Sequence, residues 1–273
     1  MEVKIINPTE TKELFKHWGE FSKTCYDTKN VAPEKIGKHC MESRHFSGSR
    51  TRYIEMEIKN VNRAIIDQLC RHEEGVVKNV QSTRYVDKNG FTYDIPVEII
   101  NNDELVKKYI LHMEETQKLY TNIQEYIITN QHKSGERANE QARMVLPLSL
   151  HTNVAVGFTV EALMHYMNTR LCVRAEKEHR DLAKAIKKAV LEVLPELKDK
   201  LVPQCEELLY CPEARGCGAY CSKQELKNKI NFVDELIKLG TDESIDSNHT
   251  YLGLMDKYYD FMLKLGVDIS EKR

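Results

Sequence analysis

From Asp103 to Thr129 the apolar residues Leu105, Tyr109, Ile110, Met113, Tyr120, Ile123 and Ile127 recur at helical spacing. A helix of that span is a rod of about 40 Å, and it must lay its apolar stripe on another layer. A second periodicity stands beside it. Over Arg50–Ile58, Ile54, Met56 and Ile58 point one way while Tyr53, Glu55 and Glu57 point the other, as in a half-buried strand. Val3–Ile6 reads as a short strand closed by Asn7-Pro8, and Val76–Val86 as another. Asp87-Lys88-Asn89-Gly90 is a turn signal, with Phe91–Ile95 returning as a hairpin. Helices are expected over Thr9–Lys23, over Asn60–Cys70 with Asn60 or Asn62 as its cap, and from about Glu136 to before Pro147. The longest helix is expected over Thr159–Leu194, with further helices over Lys223–Leu239 and Thr250–Leu265. The class is α+β, an antiparallel sheet flanked by long helices.

The bulk numbers exclude several functions. A net charge of −2 and a pI near 6.6 leave no global basic field for a nucleic acid polymer or a membrane surface. Any anionic ligand must therefore be held by a local cluster of cations. No apolar stretch approaches a bilayer span. The N-terminal residues carry no basic region followed by an apolar run. A cytoplasmic setting is expected, with the eight cysteines mostly as thiols.

Chemistry concentrates in Gln68-Leu69-Cys70-Arg71-His72-Glu73 and, after it, Asn79-Val80-Gln81-Ser82-Thr83-Arg84-Tyr85. A helix end delivers Arg71 and His72, and a returning strand delivers Ser82 and Arg84 on one face. Two guanidiniums, a hydroxyl and an amide make a pocket for phosphate or carboxylate, because Arg offers planar charge-assisted donors. By spacing alone the same arginines also suit surface ion pairs.

Residue for residue, this stretch resembles the signature of the flavin-dependent thymidylate synthases: Arg-His-Arg, seven residues, Ser, one residue, Arg. Arg71-His72 and Ser82-x-Arg84-Tyr85 match. Glu73 replaces the third signature residue, and the spacer to Ser82 is eight residues long. Three more segments match in order. His45-Phe46-Ser47-Gly48 is similar to the family's His-x-Ser/Thr-Pro. Ala142-Arg143-Met144-Val145-Leu146-Pro147 is similar to its Ala-Arg-x-x-Leu-Pro. Thr159–Arg170, followed by Ala175-Glu176-x-Glu178-x-Arg180, is similar to its long helix. The matches cover most of residues 45–195. They imply a family domain over 1–222, with 223–273 a helical extension packed on it.

The resemblance implies roles by position. Gln68, Arg71, Ser82, Arg84, Arg143 and Arg170 correspond to dUMP contacts, with Arg170 the catalytic arginine that polarises the pyrimidine. His45, Ser47, His72, Glu73, Glu161 and His165 correspond to the FAD side. Arg50 stands where the family usually has Glu, and Glu73 and Glu161 where it usually has Arg. Arg50 is therefore expected to pair with Glu73 or Glu161, keeping the local charge balance with its signs reversed. The implied reaction converts dUMP to dTMP, with methylenetetrahydrofolate as carbon donor, FAD as cofactor and NADPH as reductant, in a homotetramer. A related pyrimidine nucleotide hydroxymethylase and a non-catalytic nucleotide- or flavin-binding homologue are the alternatives. No cysteine falls at a position with a catalytic counterpart, and Ser82 reads as a ligand to dUMP rather than a nucleophile.

On helical geometry, Glu161, His165, Asn168 and Cys172 share one face, and Arg170 points about 180° from Glu161. Cys205, Cys211, Cys217 and Cys221 lie close in sequence without the paired Cys-x2-4-Cys spacing of common zinc sites. A structural metal and free or cross-linked thiols are both open readings there.

Overall fold

Among the described residues four strands build the sheet: β1 (Glu2–Ile5), β2 (Ile54–Asn62), β3 (Val76–Val80) and β4 (His151–Phe158). All neighbours are antiparallel, in the order β1-β2-β4-β3. The computed structural model describes residues 1–26, 30–228 and 231. The helices are α1 (Pro8–Lys12), α2 (Leu14–Tyr26), α3 (Pro33–Glu42), α4 (Arg63–Leu69), α5 (Asp103–Thr129), α6 (Gly135–Ala142), α7 (Val160–Arg170), α8 (Lys177–Val193) and α9 (Gln204–Leu208). The α+β class expected from the two periodicities is the one observed.

The chain divides into two compact units. The first holds Met1–Tyr166 and Lys177–Leu201, the second Met167–Glu176 and the chain from Val202 onward. The boundary expected after residue 222 falls six residues before this described segment ends at 228. Residues 223–228 are helical, while the rest of the expected Lys223–Leu239 helix, residue 231 apart, and all of Thr250–Leu265 lie outside the described residues.

In the first unit the inward side chains of β2 and β4 make the core. Ile54, Met56, Ile58 and Val61 alternate into it, as do Val154, Val156 and Phe158. A bulge between Ile58 and Val61 keeps this alternation in phase: Asn60 adopts φ 56° and its N–H donates to Asn153 Oδ1 at 3.1 Å. Trp18 is fully buried between Phe15 and Phe46, with ring centroids 6.2 and 5.9 Å away. Helices α2 and α3 cross closely enough to need glycine on both. A Cβ on Gly19 would sit 1.6 Å from the Pro33 carbonyl oxygen, and one on Gly37 2.0 Å from that of Phe15.

Several expected boundaries move. The helix over Thr9–Lys23 is two helices, because the Glu13 N–H bonds back to Thr9 and Thr11 and closes α1. The strand expected from Arg50 begins at Ile54; Arg50 itself lies in a 3-10 turn, Phe46–Thr51. The strand over Val76–Val86 stops at Val80. Beyond it Ser82 Oγ accepts from the Arg84 N–H at 3.2 Å, and a local serine turn replaces the ladder. The return at Phe91–Ile95 forms no hairpin with it, and Tyr93 instead bridges Leu150. The helix over Thr159–Leu194 is interrupted at 171–176, through Cys172 and Val173, which are weak helix formers. The longest described helix is therefore α5, at 27 residues.

In the second unit Asn168 Nδ2 donates to the Val202 carbonyl at 2.9 Å, and Arg174 donates to the Arg215 carbonyl at 2.8 Å. The Cys211 N–H donates to the Cys221 carbonyl at 2.7 Å, closing the cysteine-bearing loop. No described helix is long and apolar enough to cross a membrane.

Candidate active site

The turn after α4 is the centre of the site, and three contacts set its shape. Asn62 caps the helix, its side chain accepting from the Ile65 N–H at 2.9 Å. Lys78 on β3 donates to the carbonyls of Cys70, at 3.0 Å, and of His72, so a cation closes the C-terminal end. Gly75, at φ 68°, then brings the chain against the start of α7. A Cβ there would meet Thr159 Oγ1 at 2.5 Å, and the Gly75 carbonyl accepts from the Thr159 N–H at 2.9 Å. Thr159 Oγ1 in turn accepts from the Ala162 N–H at 3.3 Å, capping α7.

These contacts bring the expected flavin-side residues of the turn and of α7 together. The His72 ring lies 6.5 Å from that of His165 and 5.1 Å from that of Tyr166, both edge-on. Glu161 leaves the same helix one turn earlier than His165. Arg50 binds its carboxylate with two donors of one guanidinium edge, Nε to Oε2 at 2.7 Å and Nη2 to Oε1 at 3.1 Å. The reversed ion pair thus forms with Glu161 rather than Glu73, and Glu161 holds the guanidinium pKa above its usual value. His45 and Ser47 are exposed, at the start of the 3-10 turn that carries Arg50. That turn is seated by Gly48, where a Cβ would lie 2.5 Å from Trp18 Cδ1.

Of the expected nucleotide contacts, Gln68 is in the last turn of α4 and Arg71 follows it, exposed. Ser82 and Arg84 lie beyond the end of β3. Arg84 Nη2 meets Glu136 at 2.6 Å and its Nε meets Glu140 at 3.5 Å, both on α6. Arg143 directly ends α6. One short helix therefore both engages Arg84 and delivers Arg143. Arg170 ends α7 within the second unit, where it lines a cavity of about 500 Å³ with Arg174, Cys172, Cys205 and Cys211.

The segment bearing Ser82 and Arg84 is pinned by a polar network that the sequence did not announce. Asp87 Oδ1 accepts from Gln124 at 2.9 Å, from the Asn89 N–H at 3.0 Å and from the Tyr120 hydroxyl at 3.2 Å. Gln124 also donates to Asn139 Oδ1, and Asn139 Nδ2 donates to the Arg84 carbonyl at 3.2 Å. Burial pushes the Asp87 carboxyl upward, but these hydrogen bonds outweigh it and hold its pKa below the ordinary value. Beside it, buried Lys88 donates to Gln81 Oε1 at 2.6 Å; burial, then the charge of Arg63, lowers its pKa. The side chains of Asp87, Tyr120, Gln124 and Asn139 come from three segments, so only a three-dimensional arrangement reveals them.

The cysteines offer no ready metal cage. Among the described residues no three His, Cys, Asp or Glu side chains are grouped to hold an ion. Cys205, Cys211, Cys217 and Cys221 are free thiols, with Cys211 buried and Cys217 exposed. Burial, then the neighbouring thiols of Cys172 and Cys211, raises the Cys205 pKa.

Comparison with known proteins identifies the family and the fold. Residues 9–196 match the family model described as thymidylate synthase complementing protein. A flavin-dependent thymidylate synthase of Nitratidesulfovibrio vulgaris is 35% identical over 188 residues, covering 68% of this chain and 76% of that protein. One from Clostridium tetani is 30% identical over 236 residues, covering 80% and 93%. Among solved structures, a Helicobacter pylori flavin-dependent thymidylate synthase complexed with FAD and dUMP superposes with a TM-score of 0.55. It is 20% identical, covers 74% of this chain and all of that one, and so speaks for the fold.

Proposed function

The chain belongs to the flavin-dependent thymidylate synthase family, and from that premise we propose that it is a methyltransferase that converts dUMP to dTMP. FAD is its cofactor, with methylenetetrahydrofolate as carbon donor and NADPH as reductant. The observation that carries this reading is the turn after α4. Gln68 in the last turn of α4 and Arg71 and His72 just beyond it fall within five residues on a backbone held by Lys78 and Gly75, with His165 of α7 beside His72.

The side chains suit the ligands. On the flavin side, His45, Ser47, His72 and His165 are uncharged or weakly basic donors, and Glu161 is neutralised by Arg50. Glu73, exposed on the turn, adds a carboxylate there. A dinucleotide cofactor asks for such hydrogen-bond donors, and the Arg50–Glu161 pair keeps the Glu161 carboxylate from repelling its phosphates. When bound, the flavin supplies the hydride that completes the methyl group.

For the nucleotide, Arg71, Arg84 and Arg143 offer charge-assisted donors to the phosphate, and Ser82 a hydroxyl. Arg170 polarises the pyrimidine. None of these groups acts as a nucleophile; they bind, orient and stabilise charge. The enzyme is a homotetramer in which α7 is shared between neighbouring sites. It works in the cytoplasm.

The test supplies purified protein with FAD, NADPH, methylenetetrahydrofolate and dUMP deuterated at the pyrimidine C5. Formation of dTMP with loss of that deuterium, dependent on both the folate and the flavin, is the expected result. A 5-hydroxymethyl product, or no product from a protein that binds FAD, refutes it.

A further inference from the structure

Buried in the first unit is a polar chain that no expected site residue accounts for. His179 of α8 is fully buried, on the same stripe as Leu182, Ala183 and Ile186, where an apolar residue would suit the pattern. Its Nε2 lies 3.1 Å from the Tyr166 hydroxyl and its Nδ1 3.3 Å from Gln68 Oε1. Tyr166, also fully buried, is held between Phe158 and His72, at ring distances of 5.2 and 5.1 Å.

We infer that His179 is a positioning residue for Gln68: relayed from Tyr166, it fixes the side-chain amide so that Gln68 presents its NH₂ group as a donor to the nucleotide. The assignment follows from what each atom can do. An amide oxygen only accepts, so the contact to Gln68 requires the proton on His179 Nδ1. A neutral imidazole protonated there leaves Nε2 as an acceptor, and the Tyr166 O–H is the donor that meets it. Hydrogen bonds in such a chain share one direction, Tyr166 to His179 to Gln68, and each polarises the next. With Oε1 engaged, the Gln68 amide turns its nitrogen the other way. An NH₂ group recognises an oxygen, whether a pyrimidine carbonyl or a phosphate oxygen, and opposes an amino group in the same place. The same Tyr166 ring packs against His72, so one buried residue braces the amide on the nucleotide side and the imidazole on the flavin side.

The inference rests on the proposed contact of Gln68 with dUMP, and the experiment separates the two. In full-length protein with ¹⁵N-labelled histidine, the His179 ring is expected to be neutral, with Nδ1 protonated and Nε2 bare. An Nε2–H tautomer overturns the relay whatever the ligand does. In dUMP titrations, His179→Leu is expected to weaken binding roughly tenfold, the loss of about one well-placed hydrogen bond. The KM for dUMP is expected to rise by a similar factor, with kcat changing less than about twofold. His179→Asn, whose amide nitrogen falls near the position of Nδ1, is expected to restore most of that affinity. In a Gln68→Ala background His179→Leu is expected to add nothing further. If His179→Leu unfolds the protein, Tyr166→Phe and the wild-type ring spectrum decide the matter: weaker dUMP binding by Tyr166→Phe together with an Nδ1–H ring supports the relay, and unchanged binding or an Nε2–H ring overturns it. Should wild-type protein bind no dUMP, the proposed function fails while the tautomer still reports on the relay. If Gln68→Ala weakens dUMP binding and His179→Leu and Tyr166→Phe do not, only the relay is wrong.

Discussion

Arg50 and Glu161, 111 residues apart, are joined by two parallel hydrogen bonds of 2.7 and 3.1 Å. Both side chains are partly exposed, so the pair is worth little as a stabiliser, and its consequence lies at the cofactor. Arg50→Glu or Glu161→Arg alone places like charges face to face. Each is expected to weaken FAD binding by roughly a few-fold. The double exchange should recover most of that loss. Flavin fluorescence titrations of the four proteins measure the coupling directly, and an additive double variant contradicts it.

Lys78 acts on the other wall of the site, through backbone. Lys78→Met keeps much of the apolar stem while removing the ammonium from the carbonyls of Cys70 and His72. The expected cost is about 1–2 kcal/mol of stability, with a fall in kcat/KM for dUMP because the turn carrying Arg71 loosens. Thermal melts and steady-state kinetics read the two effects separately, and unchanged kinetics in a folded variant would remove Lys78 from the site.

For Asp87 the pH dependence has a definite sign. Its folded pKa lies below the ordinary 3.8. Its contribution to stability is therefore complete above the unfolded value and is lost as the pH falls through the folded one. Asp87→Asn is expected to lower stability at neutral pH by about 1–3 kcal/mol. The gap to wild type should narrow as the solution is acidified below about pH 4. Denaturant titrations at neutral and acidic pH test this, and a gap that is constant with pH refutes it.

Gly37 tests the crossing of α2 and α3. An alanine there would need its Cβ 2.0 Å from a backbone oxygen, which only separation of the helices relieves. Gly37→Ala is expected to cost about 3 kcal/mol or more, seen as a lower melting temperature. Wild-type stability would mean that the crossing is looser than described.

Much of the scaffold was legible because its elements obey a single period. α5 begins and ends where its apolar repeat does, and β2 alternates as its sequence does. β4 went unread although Thr152, Val154, Val156 and Phe158 alternate cleanly, because the neighbouring Arg143–Pro147 and Thr159–Arg170 segments carried the family resemblance. The end of β3 was misjudged for a physical reason. Ser82 offers its backbone a local partner, and no pattern of apolar residues reports that competition. Site residues named by motif were legible one at a time. Their supports were not: Lys78, His179 and the Asp87 network act through contacts that reach across as many as 111 residues of sequence.

Sheet order also governs where the chain can tolerate a change of length. β4 has a hydrogen-bonded neighbour on each side and runs almost directly into α7, so adding one residue to it would turn its core side chains outward in two ladders at once. The spacer between Glu73 and Ser82, longer by one than in the signature it resembles, passes through β3 at the border of the described sheet, where β4 is its one neighbour among the described residues. Drift in length is absorbed at the margin, while the count from Phe158 to His165 is held by the middle of the sheet.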